Sequence, residues 1–120
     1  MKIIIVGAGQ VGFHIASRLA YENKDVVVID TDPEAVRMVS EKIDVNVIVG
    51  SGSSPLILEE AGIKGAEILL AVTDSDDTNL VACLMADTIS PTTKKLARIR
   101  KRDYDDYHQL FQASSRILTR

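Results

Sequence analysis

Ile5-Val-Gly-Ala-Gly-Gln-Val-Gly12 places Gly7, Gly9 and Gly12 in the G-x-G-x-x-G spacing, directly behind the short apolar run Lys2-Ile-Ile-Ile-Val6. Such a β-branched run forms a strand buried on both faces of a parallel sheet. After it, Gly7 permits a tight turn, Gly9 lets backbone approach a pyrophosphate, and Gly12 lets the next helix pack closely on the strand. Free amides at the start of that helix then face the anion.

The glycines alone also fit an ordinary turn, so the surroundings decide. Val11, Ile15 and Leu19, with Ala16 and Ala20 beside them, describe the apolar stripe of an amphipathic helix. A second buried-type strand, Asp25-Val-Val-Val-Ile29, ends at Asp30. An acid at that point accepts hydrogen bonds from ribose hydroxyls and repels a 2′-phosphate; the alternative is a plain strand-end cap.

At 120 residues the chain is one domain, too small for a cofactor domain plus a substrate domain. Its net charge of −3, with both signs interspersed, gives no reason to expect nucleic-acid or membrane binding. Lys94-Lys-Leu-Ala-Arg-Ile-Arg-Lys-Arg102 is locally basic, either a solvated edge or a phosphate-binding wall, and no aromatics interleave with it for base stacking. Cys83 is the only cysteine, which excludes an internal disulfide, fits a reducing cytoplasm, and reads as core packing within Leu80-Val-Ala-Cys-Leu-Met-Ala86. No run is long enough for a signal peptide or a membrane span, so any membrane link is expected through a partner.

Asp32-Pro-Glu-Ala35 opens a second helix running to about Lys42, with Asp32 as cap and Pro33 at the first position. Asp44 to Val49 reads as a third strand, Pro55 to Glu60 as a short helix ended by Gly62, and Ala66 to Val72 as a fourth strand. Thr73-Asp-Ser-Asp-Asp77 caps a helix through Asp87 whose stripe holds Leu80, Val81, Leu84 and Met85. Lys95 to Arg100 reads as a fifth strand and Tyr104 to Ala113 as a final helix. The class is therefore α/β: a Rossmann-type doubly wound parallel sheet in three layers, of strand order 3-2-1-4-5. Residues 1–113 form the nucleotide-binding domain and 114–120 a tail that holds at most an incomplete sixth strand. The chain reads as cut short there.

Five segments together resemble the amino-terminal half of the RCK domain, the KTN or TrkA-N type that regulates potassium channels and Trk/Ktr potassium-uptake systems. They are Ile4 to Gly12, Val28-Ile-Asp-Thr-Asp-Pro33, Val49 to Pro55 followed by Leu58 to Gly62, Ala71 to Asn79, and Ala97-Arg-Ile-Arg100. The resemblance is nearest the regulatory subunits of bacterial Trk/Ktr systems and implies a sensor, not an enzyme. It implies NAD(H), or else ATP/ADP, as ligand, a homodimer or larger ring, and a membrane potassium transporter or channel subunit as partner. It also implies a cytoplasmic place beneath the inner membrane and a carboxyl-terminal RCK lobe, which is expected to be absent here. Carried over, Gly7, Gly9, Gln10, Val11 and Gly12 cradle phosphate, Asp30 holds ribose, and Thr31 and Asp32 line its side. Gly50 and Ser51 lie near the adenine end, where many members carry aspartate at the place of Ser51. Thr73 and Asp74 close the pocket, and Arg98 approaches the phosphates or a neighbouring subunit, unless it simply faces solvent.

The residues leave other readings open. A nicotinamide-binding fragment of an oxidoreductase is the alternative, and it needs a proton donor or acceptor near the nicotinamide. Asp74, Asp76 and Asp77 read as helix-start residues before they read as metal ligands. His14 lies one turn into the first helix, His108 has no expected partner, and with Cys83 they form no nucleophile signature.

Overall fold

In the computed structural model, which describes residues 1–101 and 117–119, one six-stranded parallel sheet of order β3-β2-β1-β4-β5-β6 organises the chain. The strands are β1 (Lys2–Val6), β2 (Asp25–Asp30), β3 (Asn46–Val49), β4 (Ile68–Ala71), β5 (Lys94–Ala97) and β6 (Ile117–Thr119). The helices are α1 (Gln10–Tyr21), α2 (Pro33–Lys42), α3 (Pro55–Glu60) and α4 (Asp76–Ile89), with a 3-10 turn at Ile63–Gly65.

Strand alternation sorts the apolar residues into two cores. Ile3 and Ile5 of β1 join Val26, Val28, Ala16 of α1 and Val39 of α2 on one face. Ile4 and Val6 join Val27, Ile29, Leu58 of α3 and Ala82, Cys83 and Ala86 of α4 on the other. Both faces of β1 and β2 are thus covered, which is why these strands carry near-continuous Ile and Val. Register carries Ile4 opposite Val27 on one side and Leu69 on the other, so the centre of the sheet is a continuous aliphatic layer.

The expected order 3-2-1-4-5 holds, and the sixth strand is Ile117–Thr119, pairing parallel to β5. Three strands are shorter than their apolar runs because the ends leave the ladder. Val72 N still donates to Val6 O at 2.8 Å and Arg98 N to Ala71 O at 2.9 Å, single bonds that hold the carboxyl tips together. The helix expected over 104–113, and His108 with it, lie outside the described residues.

Two apolar stripes differ from expectation. On α1, Ile15 and Leu19 pack on the core, whereas Val11 is exposed and faces the cleft described below. On α4 the buried line is Asp76, Asn79, Ala82, Cys83 and Ala86; Val81 and Leu84 point outward and are 41% and 44% exposed. Small side chains let α4 approach the sheet closely, and its two buried polar residues are there as hydrogen-bond partners, a role hydrophobic periodicity does not reveal.

The basic run 94–102 is split by strand alternation. Lys95, Ala97 and Ile99 turn inward while Lys94 and Arg100 stay outside. Lys95 is 2% exposed and its ammonium is fully paired: Nζ donates to Asp87 Oδ1 at 2.6 Å, Pro91 O at 3.2 Å and Ser90 O at 3.3 Å. It belongs to neither a solvated edge nor a phosphate wall, because a buried charge persists only with such partners. Burial pushes the Cys83 thiol up to about 12, against a smaller opposing pull from the Lys95 charge, so this sulfur is an inert core group at neutral pH.

Candidate functional site

A cleft of about 690 Å³ opens at the carboxyl ends of β1, β2 and β4, the point where the strand order reverses. Gly7 lines it at φ +120, a left-handed turn that side chains rarely adopt, with Val72 and Thr73 backbone 3.1 Å from where a Cβ would lie. Gly12 does not line the cleft. A Cβ there would come 1.8 Å from Gly7 O, so this glycine is what lets α1 sit against the turn.

Gly9 is different. Its backbone, φ −75 and ψ −165, is ordinary extended chain open to any residue, and a Cβ there would meet nothing within 4 Å. Neither backbone conformation nor packing requires glycine at this position. Gly9 is also the N-cap of α1, where no side chain caps the helix and no acidic residue occupies the first turn. The amides of Gln10 and Val11 therefore present the positive end of α1 to the cleft they line.

Asp30 faces this loop from the tip of β2. Its Oδ2 accepts from Ala8 N at 2.7 Å and its Oδ1 from Asp32 N at 2.9 Å. The carboxylate thus fixes the glycine turn while still lining the cleft. Asp32 caps α2, accepting from Glu34 N at 3.0 Å, and with Thr31 it forms the adjoining wall. Gly50, Ser51 and Gly52 close that end. A Cβ on Gly52 would lie 2.2 Å from Val6 Cγ1, so glycine brings this loop down onto the tip of β1.

The far wall is built from side chains. Thr73, Asp74 and Arg98 line it as expected, and Ser75, Thr78 and Arg100 join them. Asn79, fully buried on α4, holds this wall together: Oδ1 accepts from Thr73 N at 2.9 Å and Thr73 Oγ1 at 2.7 Å, while Nδ2 donates to Thr73 O at 3.1 Å and Arg98 O at 2.8 Å. Every hydrogen-bonding site of the amide is used, so the tips of β4 and β5 are locked to one side chain. Asp76, also buried, accepts from Arg100 N at 3.0 Å and Lys101 N at 2.8 Å. Burial pushes its carboxyl up, yet those two amides and the nearby cations outweigh it and hold the group below the usual aspartate range. The cap of α4 is instead Ser75, which accepts from Thr78 N at 3.1 Å.

Of the expected set, Gly7, Gly9, Gln10, Val11, Asp30, Thr31, Asp32, Gly50, Ser51, Thr73, Asp74 and Arg98 all line one cleft, and Gly12 stands behind it. Arg100 and Asn79 were missed as site residues. Arg100 sits in the Arg-x-Arg pair beginning at Arg98, whose two-residue spacing was the available signal. His14 is on the exposed surface of α1 beside Phe13. Among the described residues no group of His, Cys, Asp and Glu could hold a metal ion, and no helix is long and apolar enough to cross a membrane.

A family model for the TrkA-N domain matches residues 3–119. The chain is 44% identical over 104 residues to the Trk system potassium uptake protein TrkA of Halomonas elongata, covering 87% of this chain and 23% of that protein. It thus spans about a quarter of that relative's length. Two solved structures share the fold. The Shewanella denitrificans Kef CTD in AMP-bound form has a TM-score of 0.80 at 24% identity, covering 100% of this chain and 72% of that one. The GsuK channel bound to NAD has a TM-score of 0.81 at 18% identity, covering 98% of this chain and 21% of that one. With the match extending over nearly its whole length, the chain belongs to the TrkA-N domain family.

Proposed function

We propose that this domain binds an adenine nucleotide in the cleft, NAD(H) first and ATP or ADP second, and through it regulates a membrane potassium transporter or channel subunit. The observation that carries the reading is Gly9: a glycine the fold does not require, at an uncapped helix start, with the Asp30 carboxylate bonded to the same turn. The relative named as a potassium uptake protein, and fold neighbours that hold AMP or NAD, support the regulatory reading over an oxidoreductase fragment. The domain acts as a sensor without catalysis, in a homodimer or larger ring on the cytoplasmic side of the inner membrane, held there by its partner.

Regulation requires that the nucleotide bind two arrangements of the protein unequally, since the affinity ratio sets the population shift. The parts positioned to differ are the start of α1 and the Thr73-Asp74 loop, which face one another across the cleft. Calorimetric titration with NAD, NADH, ATP and ADP tests the reading. Asp30→Ala lowers affinity for all of these ribose-bearing ligands by about tenfold or more, since it removes a charged acceptor and releases the glycine turn. Unchanged affinities would place the pocket elsewhere.

A further inference from the structure

The strand order β3-β2-β1 sets where each part of a nucleotide falls. With phosphates at the start of α1 and ribose at Asp30, the base lies one strand further out, at the carboxyl tip of β3, where Gly50, Ser51 and Gly52 close the cleft. This loop is firmly seated: Gly52 packs on Val6, Gly50 N donates to Asp30 O at 2.9 Å, and Ser54 N donates to Ser51 O at 3.1 Å. Of the three closing residues, only Ser51 has a side chain with which to read a base edge.

Ser51 works with a partner. Its Oγ lies 2.8 Å from Ser53 Oγ, with either hydroxyl able to donate, and it accepts from Ser53 N at 3.2 Å. A hydroxyl has one proton and two lone pairs, so the pair has two arrangements that both keep these bonds. When Ser51 donates to Ser53, one lone pair of Ser51 is left for the cleft. When Ser53 donates to Ser51, both lone pairs of Ser51 are taken and its proton is left instead. Passing from one arrangement to the other rotates two O–H bonds and moves no heavy atom. A carboxylate at this place could only accept.

Resting on the nucleotide reading above, we infer that the Ser51–Ser53 pair is a reversible reader of the purine edge, accepting from the six-amino group of adenine or donating to the six-oxo group of hypoxanthine. The ligand class is then six-amino and six-oxo purine nucleotides alike, and Ser51 is the residue that sets it.

Calorimetric titration with ATP and ITP, which differ only at that edge, tests this, with NAD and nicotinamide hypoxanthine dinucleotide as the dinucleotide pair. In the parent protein the two members of each pair bind within about threefold of one another. Ser51→Ala weakens both members about fivefold and leaves their ratio unchanged, as expected for loss of one neutral hydrogen bond. Ser51→Asp turns the reader into a fixed acceptor and makes ITP about tenfold weaker than ATP. ITP already tenfold weaker in the parent overturns the inference and assigns the choice to Asp32 on the adjoining wall. Unchanged affinities in Ser51→Ala, or an unmoved ratio in Ser51→Asp, also overturn it, since the base is then not read by Ser51. Any of these results with ATP or NAD still bound removes the edge reader alone; no binding of any nucleotide removes the nucleotide reading as well.

Discussion

The two walls of the cleft are built by different means. On the β1–β2 side the surface is backbone, shaped by Gly7, Gly9 and the open start of α1, with Asp30 bonded to the turn it faces. On the β4–β5 side it is side chain, and its geometry depends on Asn79 and Asp76 reaching inward from α4. A wall of backbone tolerates no added atoms behind it. A wall of side chains tolerates no loss of the polar groups that hold it.

The largest effect expected from this contrast is at Gly12. Gly12→Val places a Cβ where Gly7 O already lies 1.8 Å away and destabilises by about 4 kcal/mol or more, because neither α1 nor the turn can yield cheaply. Denaturant unfolding followed by circular dichroism measures it, and a loss under 1 kcal/mol would mean the backbone wall is softer than its contacts imply. Asn79→Leu comes next. It keeps the volume but strands the Thr73 and Arg98 backbone groups, at about 2–4 kcal/mol, and it also weakens nucleotide binding by letting the β4 and β5 tips separate.

Asp76 adds a pH dependence to the second wall only. Its folded carboxyl titrates below its ordinary value, so its stabilisation is fully present above the usual aspartate range of about pH 4 and is lost as pH falls through the depressed value. Asp76→Asn therefore flattens the acid limb of a stability-versus-pH curve below about pH 4, and an unchanged acid limb would assign that loss to other carboxylates. The smallest effect on stability is at Gly9. Gly9→Ala shifts unfolding by no more than about 0.5 kcal/mol, since the added methyl meets no neighbour, yet lowers nucleotide affinity about tenfold or more by intruding on the ligand. Equal losses in stability and binding would erase the distinction between the walls.

The first wall was readable in the chain because its parts are local: glycine spacing, a β-branched strand before it and an acid at the end of the next strand all lie within Lys2–Asp30. The second wall was readable only in part. Thr73, Asp74 and Arg98 came through family resemblance, while Asn79 lay unremarked inside the Ala71–Asn79 segment and Arg100 at the end of the next. Asn79 and Arg98 are 19 residues apart and meet only because β4 and β5 are neighbours in the sheet. The same cause explains Lys95, which looked like one of six surface cations and is instead paired with Asp87 under α4.

What the amino-acid order determined unaided is the succession of strands and helices as far as β5, their parallel pairing and the glycine turn at Gly7 to Gly12, because periodicity, turn chemistry and helix starts act over a few residues. Only the tertiary structure decided which polar side chains turn inward and what they hold. Asp76, Asn79 and Lys95 are buried because partners distant in the chain satisfy their hydrogen bonds, and a residue's own neighbours in sequence carry no record of such partners.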